Sequence, residues 1–272
     1  MKISDFHSDI LTYNGGEQIL SSYTEETVVT AVFRGKRDFK AAEKLAEKAD
    51  ILAFEDAGYT DAEIKDIVRY NPVYVGLTWN GENRYGYGCD YACPLKADGR
   101  AAIRELNDSG VAVDTAHISK GGFYDIIDLA ETVVNSHTCF SGAFQHKRNI
   151  DDEQIRLLIS RNAPIGVTLC GYFMTDKPQC LVEDFTRQID YFVSKFGFEN
   201  LCIGTDFYGC DFFPDGINDY SGLSLVKERL IKLGYSGKAI NGIFYDNLNG
   251  FLERKWKAYT KIRLSRDMRA KK

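Results

Sequence analysis

Two histidines in the middle of the sequence occupy matching positions in one strand–helix–strand unit. His117 ends an apolar run that begins at Val111, and His137 ends the next apolar run, with an amphipathic helix between them. A helical connection makes the two strands parallel neighbours, so their carboxyl ends and both imidazoles lie side by side. Neutral imidazole nitrogens are good ligands for a borderline-soft divalent cation. The spacing therefore favours a shared metal site over two separate hydrogen-bonded histidines, in a chain with only four histidines.

Carboxylates end other apolar runs in the same way. His7 and Asp9 are two residues apart in the first run, so their side chains point to one face of a strand. Glu55 and Asp206 each close a later run. A carboxylate at the end of a buried strand is costly unless it is paired or bound to a cation. Together with the histidines, these acids are too many ligands for one catalytic zinc ion, and they suit two ions bridged by a carboxylate and a hydroxide.

The elements that position these side chains are eight predicted strands. They are runs rich in β-branched and aromatic residues, separated by helical patterns or loops. The predicted strands are Ile3–Asp9, Thr27–Phe33, Asp50–Glu55, Val73–Thr78, Val111–His117, Thr132–His137, Pro164–Cys170 and Leu201–Asp206. The predicted helices are Arg37–Lys48, Asp61–Tyr70 behind a capping box of Thr60 and Glu63, Leu95–Asp108, Phe123–Glu131, Asp152–Arg161, Val182–Phe196, Leu223–Leu233 and Lys238–Tyr259.

Strands that are buried on both faces and followed by covering helices imply a parallel sheet. The chain has no linker-like break, and no GxGxxG follows its first strand, which disfavours a dinucleotide-binding sheet. We therefore predict an α/β fold, a (β/α)8 TIM barrel of the metal-dependent hydrolase type, as a single domain over residues 1–272 with a C-terminal helical extension. In such a barrel the active site lies where strands end, and that is where the candidate residues stand.

The composition limits the class of protein. At 272 residues and 44% apolar, the chain can bury a large core, and its net charge of −5 argues against a nucleic-acid partner. The N-terminal segment has no apolar run of the length that a signal peptide or membrane span requires, so we expect a soluble, cytoplasmic protein without a membrane partner. Seven scattered cysteines without a CxxC pair are typical of reduced thiols.

With these residues identified, the sequence resembles the renal (membrane) dipeptidase family, peptidase family M19, whose members are zinc-dependent dipeptidases on a (β/α)8 barrel. The similarity covers about residues 3–209, and the order and spacing of its motifs make it specific. The matching segments are Asp5–Asp9, Phe54–Glu55, Leu77–Asn80 with Glu82–Asn83, Asp114–Ser119, Asn135–His137, Lys147–Asn149 with Asp152–Glu153, and Gly204–Phe207.

The resemblance implies a role for each matching residue. His7 and Asp9 would bind one zinc ion, His117 and His137 a second, and Glu55 would bridge the two. Arg148 would hold the free carboxylate of a small peptide substrate, because a guanidinium fork fits a carboxylate bidentately. Asp206 would be the catalytic residue that moves protons near the metals. A homodimer is a further expectation by analogy.

Two positions depart from the family pattern. Many members carry histidine where this chain has Trp79, and that histidine is associated with the substrate. Tryptophan does not polarise a carbonyl in the same way, so Trp79 is expected to change substrate preference while metal binding is retained. Near Cys170 the family often has an aromatic residue, and Tyr172 is the candidate for that substrate contact here.

Two alternatives to a dipeptidase stay open at this point. Another TIM-barrel metal-dependent hydrolase would act on an amide, lactone or phosphoester, but such sites usually open with His-x-His and often use a bridging carboxylated lysine. This chain has His7-x-Asp9 and Glu55 instead. An inactive binding barrel would be expected to have a broken ligand set, and all five predicted ligands are present.

Overall fold

Eight short parallel strands form a closed barrel in the computed structural model, which describes residues 2–12, 27–33, 46–47 and 49–257. Each strand pairs with the next in sequence, and the first pairs with the last. The predicted (β/α)8 fold is confirmed. The strands are β1 (Ser4–Ser8), β2 (Thr27–Phe33), β3 (Leu52–Glu55), β4 (Tyr74–Gly76), β5 (Ala112–Asp114), β6 (Val133–Thr138), β7 (Ile165–Val167) and β8 (Leu201–Ile203).

Helices follow the strands from β3 onward and cover the outside of the barrel. They are α1 (Ile64–Val68), α2 (Ala97–Ser109), α3 (Lys120–Leu129), α4 (Asp152–Ser160), α5 (Val182–Phe196), α6 (Leu223–Lys232) and α7 (Gly237–Asn241). A π-helical turn, Gly242–Asp246, joins α7 to a helical stretch at 247–257. Short 3-10 turns lie at Ala57–Tyr59, Gly171–Phe173 and Tyr220–Gly222.

Several predicted helix ends are wrong, and local capping explains two of them. We placed the N-cap of α1 at Thr60, but the cap is Glu63, whose backbone N–H donates to the Asp66 carboxylate at 3.2 Å. Helix α3 starts at Lys120 rather than at Phe123, because the hydroxyl oxygen of Ser119 accepts the N–H of Gly122 at 3.1 Å. The sequence did not indicate this start, because the first turn of α3 contains two glycines, which have low helix propensity.

The helix predicted over Lys238–Tyr259 is interrupted by the π turn. At its first residue, Gly242, a Cβ would come within 2.9 Å of the Phe198 ring, so the wider turn brings the backbone directly against that ring. The last residues of this predicted helix, and nearly all of the predicted helix Arg37–Lys48, lie outside the described residues.

Close packing at one side of the barrel brings β6, β7 and β8 together. A Cβ on Gly166 or Gly204 would lie 1.9 or 2.1 Å from the backbone oxygen of Ser136. Only glycine allows this approach, because any side chain would overlap the neighbouring backbone. The strand that carries His137 is thereby held next to the strand that leads into Asp206.

The far end of the barrel is filled by apolar side chains. Phe6 packs edge-on against Tyr74 and Phe251, with ring centroids 5.4 and 5.9 Å apart. Leu248 and Leu252, from the same helical stretch as Phe251, are almost fully buried in this cluster. This end therefore supplies packing, whereas the polar side chains of the barrel collect at the carboxyl ends of the strands.

Candidate metal centre

Six buried ionisable side chains meet where the strands end, and none is more than 8% exposed. Three of them lie within β1, β3 and β6, and three follow the ends of β1, β5 and β8 by one to three residues. The structure brings together all five predicted metal ligands and the predicted catalytic acid. They are His7, Asp9, Glu55, His117, His137 and Asp206.

Glu55 lies between the histidines of the two sides of the barrel. Its Oε2 is 3.4 Å from Nε2 of His7, and its Oε1 is 2.8 Å from Nε2 of His117. The Nε2 atom of His137 lies 2.8 Å from that of His117 and 3.9 Å from Oε1 of Glu55. One carboxylate thus faces three imidazoles, which is the position expected of a bridging ligand.

The acidic side of the centre surrounds His7. Its Nε2 lies 3.6 Å from Oδ2 of Asp9 and 3.9 Å from Oδ1 of Asp206. Potential ligand atoms of these three residues all lie within 4.8 Å of one another, and the same holds for His7, Glu55 and His137. The described residues therefore contain two overlapping groups of metal-type ligands, with His7 in both.

The hydrogen bond of Tyr74 fixes which nitrogen of His7 faces the centre. The Tyr74 hydroxyl donates to the backbone oxygen of Phe6 at 3.0 Å, so its oxygen accepts from Nδ1 of His7 at 2.8 Å. A neutral imidazole carries one proton, and here that proton is on Nδ1. The lone pair on Nε2 therefore points at the carboxylates.

The other two imidazoles are oriented in the same way. The amide oxygen of Asn80 can only accept, so Nδ1 of His117 donates to it at 2.8 Å. The Ser136 hydroxyl donates to Asp114, and its oxygen accepts from Nδ1 of His137 at 2.8 Å. The two Nε2 lone pairs then face each other across 2.8 Å. An outer nitrogen bound to a polar partner and an inner lone pair facing a shared centre are typical of metal-ligating histidines.

Unsatisfied buried atoms show that the centre fits a cation. In the described part of the chain no hydrogen-bond donor reaches Nε2 of His7, Oδ1 of Asp9 or Oε1 of Glu55, although all three atoms are buried. Each such acceptor costs about 1–3 kcal/mol if it stays unpaired. A divalent cation would satisfy them, and imidazole nitrogen with carboxylate oxygen is a donor set that suits zinc.

The pKa values differ between the two sides of the centre. Burial raises the pKa of Asp9, and burial together with Asp9 and Glu55 raises that of Asp206 well above its ordinary value. Burial and the charge of Arg148 lower the pKa of His117 to about 4. This imidazole is therefore neutral near pH 7, which is the form that binds metal.

His7 behaves differently from His117, because acids surround it. Burial alone would lower its pKa, but Tyr74, Asp9 and Glu55 raise it well above its ordinary value. Glu55 is also buried, yet its contacts with His117 and His7 hold the pKa of its carboxyl well below the usual range. In the protein without metal, a proton on His7 thus occupies the position where a cation would bind.

The backbone around the centre adopts left-handed conformations at residues other than glycine. Asp56, His117, Asp206 and Tyr208 have φ angles of 55°, 63°, 61° and 71°. Each such residue costs of order 1–3 kcal/mol, and such strain concentrates at functional sites. Here it turns the chain sharply after β3, β5 and β8, so that side chains beyond the strand ends still face the centre.

A cavity of about 750 Å³ opens above the centre, and Asp9, Glu55, His117 and Asp206 form its floor. Its walls carry two of the predicted substrate contacts. The ring of Trp79 lies 5.9 Å from that of His117, centroid to centroid. Tyr172, which is 53% exposed, donates its hydroxyl to Asp211 at 3.0 Å on the rim.

Arg148, the third predicted substrate contact, does not line that cavity. It is 4% exposed and borders a second cavity of about 380 Å³, which shares His117 with the first. Its Nη2 donates to the backbone oxygen of His137 at 2.8 Å, and its Nε finds no acceptor among the described residues. The predicted carboxylate clamp therefore lines a separate cavity, which meets the larger one at His117.

Sequence reasoning missed the residues that orient the imidazoles. Asp114 and Ser136 belong to motifs that were recognised, but they received no role. The signal was present for Asp114, since an acid within a buried strand needs a partner. Tyr74 gave no signal, because an aromatic residue in an apolar strand ordinarily indicates core. Asn80 lies beyond the strand end, where its orientation could not be read from the sequence.

Comparison with known proteins identifies the family. A sequence model of membrane dipeptidases (peptidase family M19) matches residues 62–261. The chain belongs to this family. The membrane dipeptidase family is one of metallopeptidases, so the fold, the resemblance of the motifs and the metal-type ligand cluster agree with one another.

The chain is also similar to several individual proteins. It is 26% identical to an uncharacterized protein in the pqqA 5′ region of Klebsiella pneumoniae. The match covers 76% of this chain and 82% of that protein. It is 24% identical over 66% of its length to dipeptidase verJ of Clonostachys rogersoniana, of which it spans 47%. It thus spans about half the length of that fungal dipeptidase.

Solved structures share the fold. A dipeptidase of family M19 superposes with a TM-score of 0.82 at 18% identity, over 94% of this chain and 99% of the other. A metallopeptidase from Rhodobacter sphaeroides, liganded with a phosphinate mimic of the dipeptide L-Ala-D-Ala, superposes with a TM-score of 0.80 at 18% identity over the same shares. Within the described ranges, no helix combines the length and apolar character needed to cross a bilayer.

Proposed function

We propose that this protein is a cytoplasmic, zinc-dependent dipeptidase that hydrolyses the peptide bond of short peptides at a dinuclear site. The observation that carries the proposal is that the Nε2 atoms of three imidazoles and three carboxylates converge in a buried centre, where His7, Asp9 and Glu55 each have an atom without a hydrogen-bond partner among the described residues. Membership in the membrane dipeptidase family supports the same reaction. The cysteines, all free thiols, suit a reducing compartment.

We assign the five predicted ligands to two sets that share Glu55. His7 and Asp9 would hold one zinc ion, His117 and His137 the other, and Glu55 would be shared. When bound, the metal pair supplies a water acidified toward neutrality and charge that stabilises a tetrahedral oxyanion. The chain itself orients the three imidazoles through Tyr74, Asn80 and Ser136, an arrangement that fixes the ligand nitrogen before any metal arrives.

Asp206 is the group that we assign to proton transfer. Its carboxylate lies on the acidic side of the centre and also lines the larger cavity. It would take the proton of the attacking water and give it to the leaving amine. In the protein without metal, burial together with the neighbouring Asp9 and Glu55 raises the pKa of its carboxyl.

Arg148 is the group that we assign to the substrate carboxylate. The two lysines that line its cavity are paired, Lys120 with Asp151 and Lys147 with Asp90. No carboxylate lies within 4 Å of Arg148 in the described part of the chain, so its charge is left for a ligand. Because His117 borders both cavities, a dipeptide at the centre would extend its carboxylate toward Arg148 and its amino-terminal side chain toward Trp79.

Metal analysis and hydrolysis of a dipeptide library, measured on the same preparation, would test the function. We expect close to two zinc ions per chain and hydrolysis of free dipeptides, with chelation abolishing activity and zinc restoring it. A metal-loaded preparation that cleaves a lactone or phosphoester but no dipeptide would contradict the proposal. Sedimentation would test the further proposal of a homodimer.

The substitution Arg148→Lys tests the carboxylate clamp. It replaces a bidentate fork by a point charge, so kcat/KM for free dipeptides should fall about tenfold or more while zinc content stays unchanged. Exposed Arg156, changed to lysine, is the matched control. If the C-terminal amide of the same dipeptide loses as much activity as the free acid, Arg148 does not bind the carboxylate.

A further inference from the structure

Two cysteines meet across the mouth of the larger cavity. Cys170 follows β7 and Cys210 lies in the loop after β8, and both line the cavity wall. Their Sγ atoms are 2.8 Å apart. Non-bonded heavy atoms prefer roughly 3.5–4.0 Å and a disulfide bond measures about 2.05 Å, so the sulfurs lie about halfway between contact and bonding distance. Neither residue has a role in the proposed hydrolysis.

Contacts on either side of the sulfurs hold the two loops in register. The N–H of Gly171 donates to the backbone oxygen of Phe212 at 2.7 Å, and the Tyr172 hydroxyl donates to Asp211 at 3.0 Å. The rings of Tyr172 and Phe212 also pack with centroids 5.1 Å apart. A disulfide demands a narrow range of backbone separation, and here neighbouring contacts already fix the loops with the sulfurs facing each other.

The other cysteines lack this arrangement. The thiols of Cys89, Cys139 and Cys180 contact oxygen atoms of Asn80, Thr168 and Leu181, respectively. All seven cysteines lie within the described residues, and the one sulfur–sulfur hydrogen bond found there joins Cys170 and Cys210. The pair is therefore a specific feature of the cavity mouth and not a consequence of a cysteine-rich sequence.

We propose that Cys170 and Cys210 form a redox-modification site that a low-molecular-weight disulfide, of the glutathione disulfide class, converts into an intramolecular disulfide across the cavity mouth. Cys210 is partly exposed to the cavity, whereas Cys170 is 3% exposed. The small disulfide reaches Cys210 first, and Cys170 is the resolving thiol.

The exchange is balanced without any further oxidant. The Cys210 thiolate attacks one sulfur of the small disulfide, forms a mixed disulfide and releases one small thiolate, which takes up the proton that Cys210 lost. Cys170 then attacks Sγ of Cys210, and the second small thiolate leaves and takes the proton of Cys170. Two protein thiols are oxidised and one small disulfide is reduced to two thiols. The hydrogen bond with Cys170 lowers the pKa of Cys210, which favours attack by that residue.

The disulfide would join the loops that follow β7 and β8 and enclose β8 together with Asp206. Cross-linking a loop of about 40 residues restricts the unfolded chain, so the oxidised protein should unfold at a higher temperature, by roughly 5–15 °C. The modification would therefore stabilise the part of the barrel that carries the proton-transfer residue, under oxidising conditions in which an unprotected thiol would be lost to overoxidation.

The test is to expose the metal-loaded protein to oxidised glutathione and map the products by peptide mass spectrometry. We expect a linked peptide pair containing Cys170 and Cys210, which a reductant reverses, together with the rise in unfolding temperature. The matched control is Cys93→Ser, which removes an exposed thiol and should leave the cross-link intact. Formation of an adduct on Cys93 without any link between residues 170 and 210 would overturn the proposal.

Two variants identify the order of reaction. Cys170→Ser should accumulate one glutathione on Cys210, because the resolving thiol is missing, and Cys210→Ser should leave Cys170 unmodified. Either variant should lose the oxidation-dependent rise in unfolding temperature. Cys210→Ser alters a partly exposed side chain, so it keeps the test decisive if Cys170→Ser does not fold. An unchanged temperature rise in Cys210→Ser would refute the site, and none of these readouts depends on peptidase activity.

Discussion

Two pairs of neighbouring strands, β1–β8 and β5–β6, build the metal centre on one plan but with different ligands. In the first pair, Asp5 accepts the N–H of His7 at 3.2 Å and both the N–H and the hydroxyl of Thr205 at 2.8 and 2.6 Å. Thr205 immediately precedes Asp206. A buried acid on one strand thus fixes the residue that comes before a site residue on the next strand.

The second pair repeats this arrangement. Asp114 accepts the N–H of Ala116 at 3.0 Å, the N–H of Ser136 at 2.9 Å and the Ser136 hydroxyl. Ser136 immediately precedes His137. In this pair, however, the Ser136 hydroxyl also accepts a hydrogen bond from the His137 ring, so Asp114 orients a ligand side chain through Ser136. Asp5 binds only backbone N–H and hydroxyl groups in the described part of the chain.

The two strand pairs also differ in the pKa values of their ionisable side chains. The β1–β8 pair supplies carboxylates whose pKa values are raised, together with a histidine that attracts a proton. The β5–β6 pair supplies imidazoles that are held neutral. Without metal, the β1–β8 pair therefore attracts protons, whereas the β5–β6 pair presents neutral imidazole nitrogens, although a buried aspartate supports each pair in a similar way.

The largest effect is expected for Asp206→Asn, which removes a proton carrier from the β1–β8 pair. Activity should fall by about 10²–10⁴-fold, the usual contribution of general acid–base catalysis, with near-normal zinc content and folding. Asp176→Asn, the same change at an exposed position outside both cavities, is the control and should keep most activity. Loss of a zinc ion from the Asp206 variant would identify the residue as a ligand instead, and full activity would exclude the proton-transfer role.

The next effect compares the hydrogen bonds accepted by Asp114 with those accepted by Asp5. In Asp114→Asn, the new amide can donate to Ser136, whose hydroxyl then donates to Nδ1 of His137 and moves the ring proton to the nitrogen that should bind metal. Zinc affinity should fall about 10–100-fold, as for other partners of ligating histidines.

The counterpart, Asp5→Asn, should cost about 1–3 kcal/mol of stability through its mispaired donors and change zinc affinity much less. Zinc titrations and denaturant unfolding of both variants would measure the contrast. Equal losses of zinc affinity in the two variants would mean that Asp114 and Asp5 do not differ in function.

A smaller effect is expected at Gly209, which lies against both acids of the β1–β8 pair. A Cβ there would lie 2.2 Å from Oδ1 of Asp206 and 2.3 Å from Oδ2 of Asp9. Gly209→Ala should displace the carboxylates and lower kcat/KM by roughly tenfold or more, because misplacement by about 1 Å can cost 10²-fold. Gly81, where an added Cβ would meet no atom within 4 Å, is the control. Equal activity of the two alanine variants would show that the acids tolerate the shift.

The smallest effect on the centre is expected from Lys255, at the opposite end of the barrel below β5. Its ammonium donates to the backbone oxygen of Gly110 at 2.7 Å, and burial lowers its pKa to about 8. Between about pH 8 and its unfolded value near 10.4, the unfolded chain binds more protons, so stability rises with pH by at most about 3 kcal/mol. Lys255→Met should remove this rise and leave kcat unchanged. Denaturant unfolding at pH 7.5 and 10 would measure it, and the same rise in the variant would refute the assignment.

The sequence predicted the fold, and which side chains would lie together at the strand ends, better than it predicted where the strands end. His117 was expected to finish a strand, but β5 stops at Asp114, because that carboxylate accepts the N–H of Ala116 and turns the backbone. Side-chain bonds of this kind compete with the strand ladder, and a periodicity of apolar residues does not reveal them. Likewise, the Thr205 hydroxyl accepts the N–H of Phe207 at 3.1 Å, and Asp206 lies three residues beyond β8.

The two cavities could not have been predicted from the sequence. Strand ends placed Trp79 on the rim, and the family resemblance added Arg148 as the carboxylate clamp, but the two residues line separate cavities that share His117. That division depends on how the loops after β4 and β6 fold over the barrel, and such loops carry no periodic pattern. The orientation of each imidazole likewise depends on partners from other strands, such as Tyr74 for His7.

The pairing of the first strand with the last, through Asp5 and Ile203, has a consequence for biosynthesis. The two histidines of the β5–β6 pair are only 20 residues apart and leave the ribosome almost together. His7, by contrast, is separated from Asp206 by about 200 residues, and at roughly 5–20 residues per second some 10–40 s pass between their translation. Both histidines of the β5–β6 pair are therefore already translated while the acidic half of the centre still lacks Asp206 and the strand before it.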